Sequence, residues 1–180
     1  MTEYALPEYV AAEELREVRK RLKMTQKEFA ELLGISRPTI ERWERSDEKV
    51  AGPVVLLLNM ISNNPEYINN LKVPKKTYPL RMWYMYNNKP CTLIDVDEIN
   101  RKVEVINYTD NLMFSAFGDN VFHSYEDYLE FLKSRCFPEG RDKMKLVLKD
   151  LGIPFYDPLL IIEKTEGRMA EDNFWIKVER

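Results

Sequence analysis

In the N-terminal part of the chain, apolar positions recur three and four residues apart, the period of helices that bury one face. Leu15, Val18 and Leu22 fall on one side of a first helix, from Ala11 to Lys23. A second runs from Gln26 to about Leu33. Thr25 and Glu28 have the spacing of a capping box, and Met24 and Phe29 that of a hydrophobic staple. Gly34 follows, where a left-handed residue ends a helix at least cost. Ser36 caps a third helix, whose first turn tolerates Pro38 because its amide has no intrahelical partner. Ile40 and Trp43 point into a small core and leave Arg37, Thr39, Glu41 and Arg42 outside. Gly52-Pro53 opens a fourth helix and Asn64-Pro65 a fifth, running to about Leu71. The fourth, Val54 to Ile61, is apolar nearly all round, which predicts burial on both sides: against its own domain, and against either the second domain or another subunit.

Beyond Lys72 the period changes. Lys72-Val-Pro-Lys-Lys-Thr-Tyr-Pro79 has no periodicity and reads as an extended linker. Arg81 to Tyr86, Cys91 to Val96 and Lys102 to Tyr108 are rich in β-formers, with Val103 and Val105 alternating, and predict a three-stranded antiparallel meander that Leu112 to Phe117 extends. Asn87-Asn88-Lys89 is a turn, and Asp97 to Arg101 a hairpin loop. Ser124-Tyr-Glu-Asp127 has capping-box spacing and begins a helix ending near Ser134. Arg141 to Leu151 is amphipathic, with Gly152 after it, and Asp157-Pro158 begins a helix ending near Gly167. Asp172 to Val178 is a docking element or edge strand. The fold class is therefore α+β: an all-α five-helix domain at 1–71, a linker at 72–79, and an α+β domain at 80–180 with a small antiparallel sheet and three helices.

Thr25-Gln26, Phe29-Ala30, Leu33-Gly34-Ile35-Ser36, Thr39-Ile40 and Trp43-Glu44 resemble the helix-turn-helix of Xre/Cro-type phage repressors and of many antitoxin repressors, over about residues 8 to 71. The tract Gly52 to Ile61 also resembles the corresponding helix of MqsA-type antitoxins, without the cysteine pairs of their zinc domain. The resemblance implies double-stranded DNA as partner, with Ser36, Arg37 and Thr39 entering the major groove at the start of the recognition helix. It implies that Arg42 reaches a guanine or a phosphate, that Gln26 bonds a phosphate or braces the recognition helix, and that Arg45, Ser46 and Lys49 meet phosphates. It also implies a homodimer on a palindromic operator. Arg135-Cys-Phe-Pro138, Arg141 to Leu146, Tyr156-Asp-Pro158 and Thr165 to Ile176 resemble an uncharacterised bacterial family associated with phage-like or HipA-type toxin loci, which adds a cognate toxin as expected partner but no biochemical role.

Charge complicates the DNA reading. Residues 1–65 carry 10 Lys and Arg against 11 Asp and Glu, and the whole chain has a net charge of −3. A domain without net positive charge binds DNA weakly unless the charge is arranged locally. Here the acids Glu3, Glu8, Glu13, Glu14 and Glu17 gather before and within the first helix, away from Arg37, Arg42, Arg45 and Lys49.

A hydrophobic content of 44% with 32% charged residues suits a globular protein, and no apolar run approaches the roughly 20 residues of a membrane span. The N-terminus, Met-Thr-Glu-Tyr-Ala-Leu-Pro-Glu, lacks the pattern of a signal peptide. Cys91 and Cys136 are too far apart for a metal-spaced pair and are expected as reduced thiols in the cytoplasm. Asp95, Asp97, Glu98 and the lone His123 are the candidate catalytic groups of the second domain. No phosphate loop, nucleophile elbow or metal-ligand spacing accompanies them, so no enzyme activity, cofactor or metal is expected. Arg135, Arg141, Lys143 and Arg168 are candidates for an anion- or protein-binding surface. The expected function is a sequence-specific regulator, an autorepressor and antitoxin. The alternative is a toxin-like or nucleic-acid-processing enzyme tethered to DNA by its first domain.

Overall fold

A computed structural model describes residues 5–46 and 49–180. Glu3, part of the acidic N-terminal run, lies outside them. The chain divides into two compact units, Met1–Val73 and Pro74–Arg180.

The first unit contains α1 (Ala12–Arg21), α2 (Gln26–Leu33), α3 (Arg37–Arg45), α4 (Pro53–Asn63) and α5 (Pro65–Asn70). Local chemistry sets the helix ends. Thr25 Oγ1 accepts from the Glu28 amide while the Glu28 carboxylate accepts from the Thr25 amide at 2.7 Å, a closed capping box. Gly34 ends α2 at φ +67°, a conformation that costs glycine least. Leu15, Phe29 and Ile40 are fully enclosed, with Leu58 and Ile61 of α4 closing the core. Two elements escaped the periodicity: β1 (Tyr9–Val10) pairs antiparallel with β2 (Val50–Ala51) and clasps the N-terminal segment to the chain after α3. The all-α description of this domain is corrected to that extent, because two-residue strands are too short to show alternation.

Helix α4 is buried on one side within the chain. Val55, Leu58 and Ile61 are buried, but Leu56, Leu57 and Met60 are 48%, 39% and 57% exposed. The helix covers one side of the unit and leaves an apolar row outside.

The second unit is a four-stranded antiparallel sheet in the order β5-β4-β3-β6, built from β3 (Leu80–Tyr86), β4 (Lys89–Asp97), β5 (Lys102–Asn107) and β6 (Phe174–Glu179). The meander predicted from the sequence is present, with a register shift between Tyr84 and Met85. Its fourth strand is not Leu112–Phe117: Leu112–Phe114 is a 3-10 turn capped by Asn111, and the chain's last strand pairs with β3 instead. Helices α6 (Tyr125–Ser134), α7 (Met144–Leu151) and α8 (Pro158–Thr165) lie between β5 and β6 in the chain. Helix α7 starts three residues later than its amphipathic pattern suggests, because Lys143 takes a left-handed φ of +58°. Met82, Ile94, Val96, Tyr128, Ile162 and Ile176 form the centre of the core.

Two buried arginines organise this unit. Arg81 grips Asp95 through two hydrogen bonds of 2.7 Å, and its third nitrogen donates to Pro74 O at 3.0 Å. Asp95 also accepts from the Thr77 amide, and Lys76 donates to Glu179 O, so the segment read as a linker is tied to the sheet from Pro74 onward. Arg135 donates to Gly167 O, Asp172 and Phe174 O, joining the end of α6 to the approach to β6.

Replacing Asp95 by Asn leaves the Arg81 guanidinium buried without a counter-charge, a change that typically costs about 3–5 kcal/mol. We expect Asp95→Asn to lower the stability of the second unit by that order in urea denaturation; an unchanged midpoint would contradict the role given to the pair.

Candidate nucleic-acid interface

Helix α3 has an inner and an outer face. Ile40 is fully buried on the inner face, and Glu44, one turn later, is 6% exposed. A carboxylate at that depth needs partners, and it has three short contacts. Arg19 of α1 donates to it from Nε at 2.6 Å and Nη2 at 3.0 Å, and Gln26, the first residue of α2, donates from Nε2 at 2.8 Å. Arg19 Nη1 also donates to Met24 O in the turn between α1 and α2. One carboxylate thus fixes α3 to both helices beneath it. Burial alone would raise the Glu44 pKa; the hydrogen bonds from Arg19 and Gln26 outweigh it and hold the carboxyl below the usual glutamate range.

The structure places the eight sequence-predicted residues in different situations. Gln26 braces α3 through Glu44. Ser36 is the N-cap of α3, its hydroxyl 2.8 Å from Thr39 Oγ1, so these two hydroxyls hold the helix start together. Arg37 is exposed and paired with Glu41 at 2.8 Å. Arg42 and Arg45 are exposed, with no hydrogen bond or ion pair among the described residues. The Ser46 hydroxyl is buried and has no partner among the described residues, so it faces inward rather than toward a phosphate. Lys49 rests its ammonium 4.0 Å from the centre of the Tyr9 ring, carried there by the β1–β2 clasp. The outer face of α3 therefore presents the guanidinium groups of Arg37, Arg42 and Arg45, with Glu41 among them. A helix face of this kind can meet phosphates and base edges.

Sequence reasoning missed Arg19 and Glu44. A signal was present: Glu44 follows buried Ile40 by one turn and Arg19 follows buried Leu15 by one turn. Opposite charges on two inner faces point to a buried pair.

The candidate catalytic groups of the second unit are not assembled into a site. Asp95 is committed to Arg81 and Thr77. Asp97 accepts from the backbone and side chain of Asn100 within the hairpin loop. Glu98 is exposed in the same loop. His123 lies against the Phe117 ring, its Nε2 buried and without a partner among the described residues. Both cysteines are free and buried, and burial pushes the Cys136 thiol up to about 12. Among the described residues, no three or more His, Cys, Asp or Glu side chains form a group able to hold a metal ion, and no helix is long and apolar enough to cross a membrane. Arg135 and Arg168 are engaged by Asp172 and Glu166, whereas Arg141 stacks on Phe137.

The sign of the Glu44 shift fixes an acid dependence. A carboxyl held below its unfolded value contributes stability above that value, near 4.3, and loses it as pH falls through the folded value. We expect the first unit to lose stability below about pH 4.5, and Glu44→Gln to destabilise it at neutral pH while removing part of that acid limb. Denaturation curves across pH test this; parallel profiles for the two proteins would contradict it.

Comparison with known proteins agrees with this geometry. Residues 15–58 match the family described as Helix-turn-helix, and that span runs from the core of α1 through α3 to the middle of α4. Over 59 residues the chain is 44% identical to the Type II methyltransferase M.SsoII of Shigella sonnei; the match takes in 31% of this chain and 16% of the relative. No solved structure matches the chain. The first unit is a helix-turn-helix domain of the DNA-binding kind, with α2 and α3 as its two helices.

Proposed function

We propose that the chain is a sequence-specific transcriptional regulator that represses its own operon. The observation that supports this most directly is the outer face of α3, where exposed arginines sit on a helix held from beneath by the Glu44 network. The negative charge of the whole chain disfavours indiscriminate DNA binding. Affinity would come from the local arginine face, doubled by a second copy on an inverted repeat. The exposed row Leu56, Leu57 and Met60 on α4 is the apolar surface available for such pairing. In this reading the second unit binds a partner protein, with a cognate toxin as the specific candidate and the whole as its antitoxin.

The similarity to a methyltransferase favours a second reading, in which the first unit tethers a DNA-processing activity. The match covers the helix-turn-helix region and only a small part of that relative. Methyl transfer by the purified protein to duplex DNA would establish this reading in place of the first.

Footprinting on the DNA upstream of the gene, at two salt concentrations, tests the regulator. We expect a protected inverted repeat that weakens at higher salt. Arg42→Ala is expected to weaken it by about 1–3 kcal/mol, the range for a good bidentate base contact, without changing the melting temperature. Equal protection by the variant would remove Arg42 from the interface. Leu57→Glu is expected to lower the sedimentation-derived mass from dimer to monomer, and an unchanged mass would exclude α4 from dimerisation.

A further inference from the structure

We propose that Glu41 is a specificity-determining residue: on the strand it faces, its carboxylate selects cytosine or adenine, the bases that present an exocyclic amino donor (N4 or N6) in the major groove. The inference rests on the DNA-binding reading above and deepens it.

Arg37 and Glu41 form an i,i+4 ion pair in the first half of α3. Arg37 is the first residue of α3 and Glu41 lies one turn later, on the same side of the helix. Glu41 Oε1 accepts from Arg37 Nε at 2.8 Å. That contact draws the carboxylate toward the N-terminal end of α3, the end that this class of fold lays against base edges. The Glu41 side chain is 27% exposed while that of Arg37 is 61% exposed, so the acid sits low and the base stands over it. Only Oε1 of the carboxylate is engaged among the described residues, leaving Oε2 with its acceptor capacity. Arg37 likewise keeps both terminal nitrogens for a phosphate while its Nε holds Glu41. Arg37 is then a positioning residue for the base reader.

Chemistry restricts what the positioned oxygen can meet. An ionised carboxylate only accepts hydrogen bonds. In the major groove guanine presents acceptors at N7 and O6 and thymine an acceptor at O4, whereas cytosine and adenine present amino donors. Phosphates repel the carboxylate. The other acid of α3, Glu44, is buried and spent on Arg19 and Gln26, so Glu41 alone on this helix brings negative charge to the outer face. It therefore penalises register positions that place a guanine or thymine acceptor, or a phosphate, against it.

Selection from a randomised duplex library tests the assignment, with the full-length wild-type chain, Glu41→Ala and Glu41→Gln carried in parallel. For the wild type we expect one column per half-site restricted to cytosine or adenine, by about tenfold or more over guanine and thymine. Glu41→Ala is expected to flatten that column alone and to raise affinity for unrelated duplex. Glu41→Gln, which both donates and accepts, is expected to shift the column toward adenine. Identical columns in all three proteins would overturn the assignment while leaving the DNA-binding reading intact. Failure of the wild type to enrich any sequence would overturn both.

Discussion

A single buried carboxylate governs how the first unit presents itself. Glu44 projects from the inner face of α3 and takes three hydrogen bonds from α1 and α2. Buried ion pairs are weak contributors to net stability when compared with well-packed apolar groups, but they are costly to leave half-made. In this unit the consequence is geometric. Any rotation or slide of α3 against the other two helices would strand the carboxylate or its donors. The apolar contacts of Phe29 and Ile40 tolerate such shifts more readily, because the hydrophobic effect is not directional. The outer face of α3 is therefore fixed by what lies on its inner face.

Arg81 and Arg135 play a comparable part in the second unit, where each closes a link that the sheet alone does not provide. Arg81 and Asp95 tie the irregular segment after Pro74 to neighbouring strands, and Arg135 fastens the loop before β6. Gly167 shows how tight that second link is. It sits at φ +58°, and a Cβ there would lie 3.2 Å from Ile176 Cδ1 and 3.3 Å from Arg135 Cβ. The guanidinium groups that a charge count would assign to a binding surface are thus partly structural: Arg135 and Arg168 are paired with Asp172 and Glu166, and Arg141 lies over the Phe137 ring.

Much of this was legible in the sequence where the signal is local. The capping boxes at Thr25 and Ser124, the Gly34 stop and the Asp157 cap are short-range chemistry, and each is found where the residues place it. The β3–β4–β5 meander follows from alternation between turns. Long-range pairings were less legible. Strand β6 joins β3 across most of the second unit, and the last residues of a chain carry no mark of which edge they will extend. The β1–β2 clasp is too short for a pattern. Leu112–Phe114 has strand-like composition, but Asn111 captures the Met113 amide and turns the chain. At the interface the exposed arginines were visible as charges, whereas the use of Gln26 as a brace and the inward turn of the Ser46 hydroxyl depend on neighbours distant in sequence.

Helix α3, held by Glu44, is the surface we propose to meet DNA. The direct measurement is a titration of the isotopically labelled full-length protein with a duplex carrying its selected site, followed by amide and arginine Nε resonances. We expect Arg37, Arg42 and Arg45 to shift together with the α3 backbone, while the Arg19 Nε proton keeps the downfield position and slow exchange of a buried, carboxylate-bound group. Binding accompanied by shifts confined to other elements, with α3 silent, would contradict it.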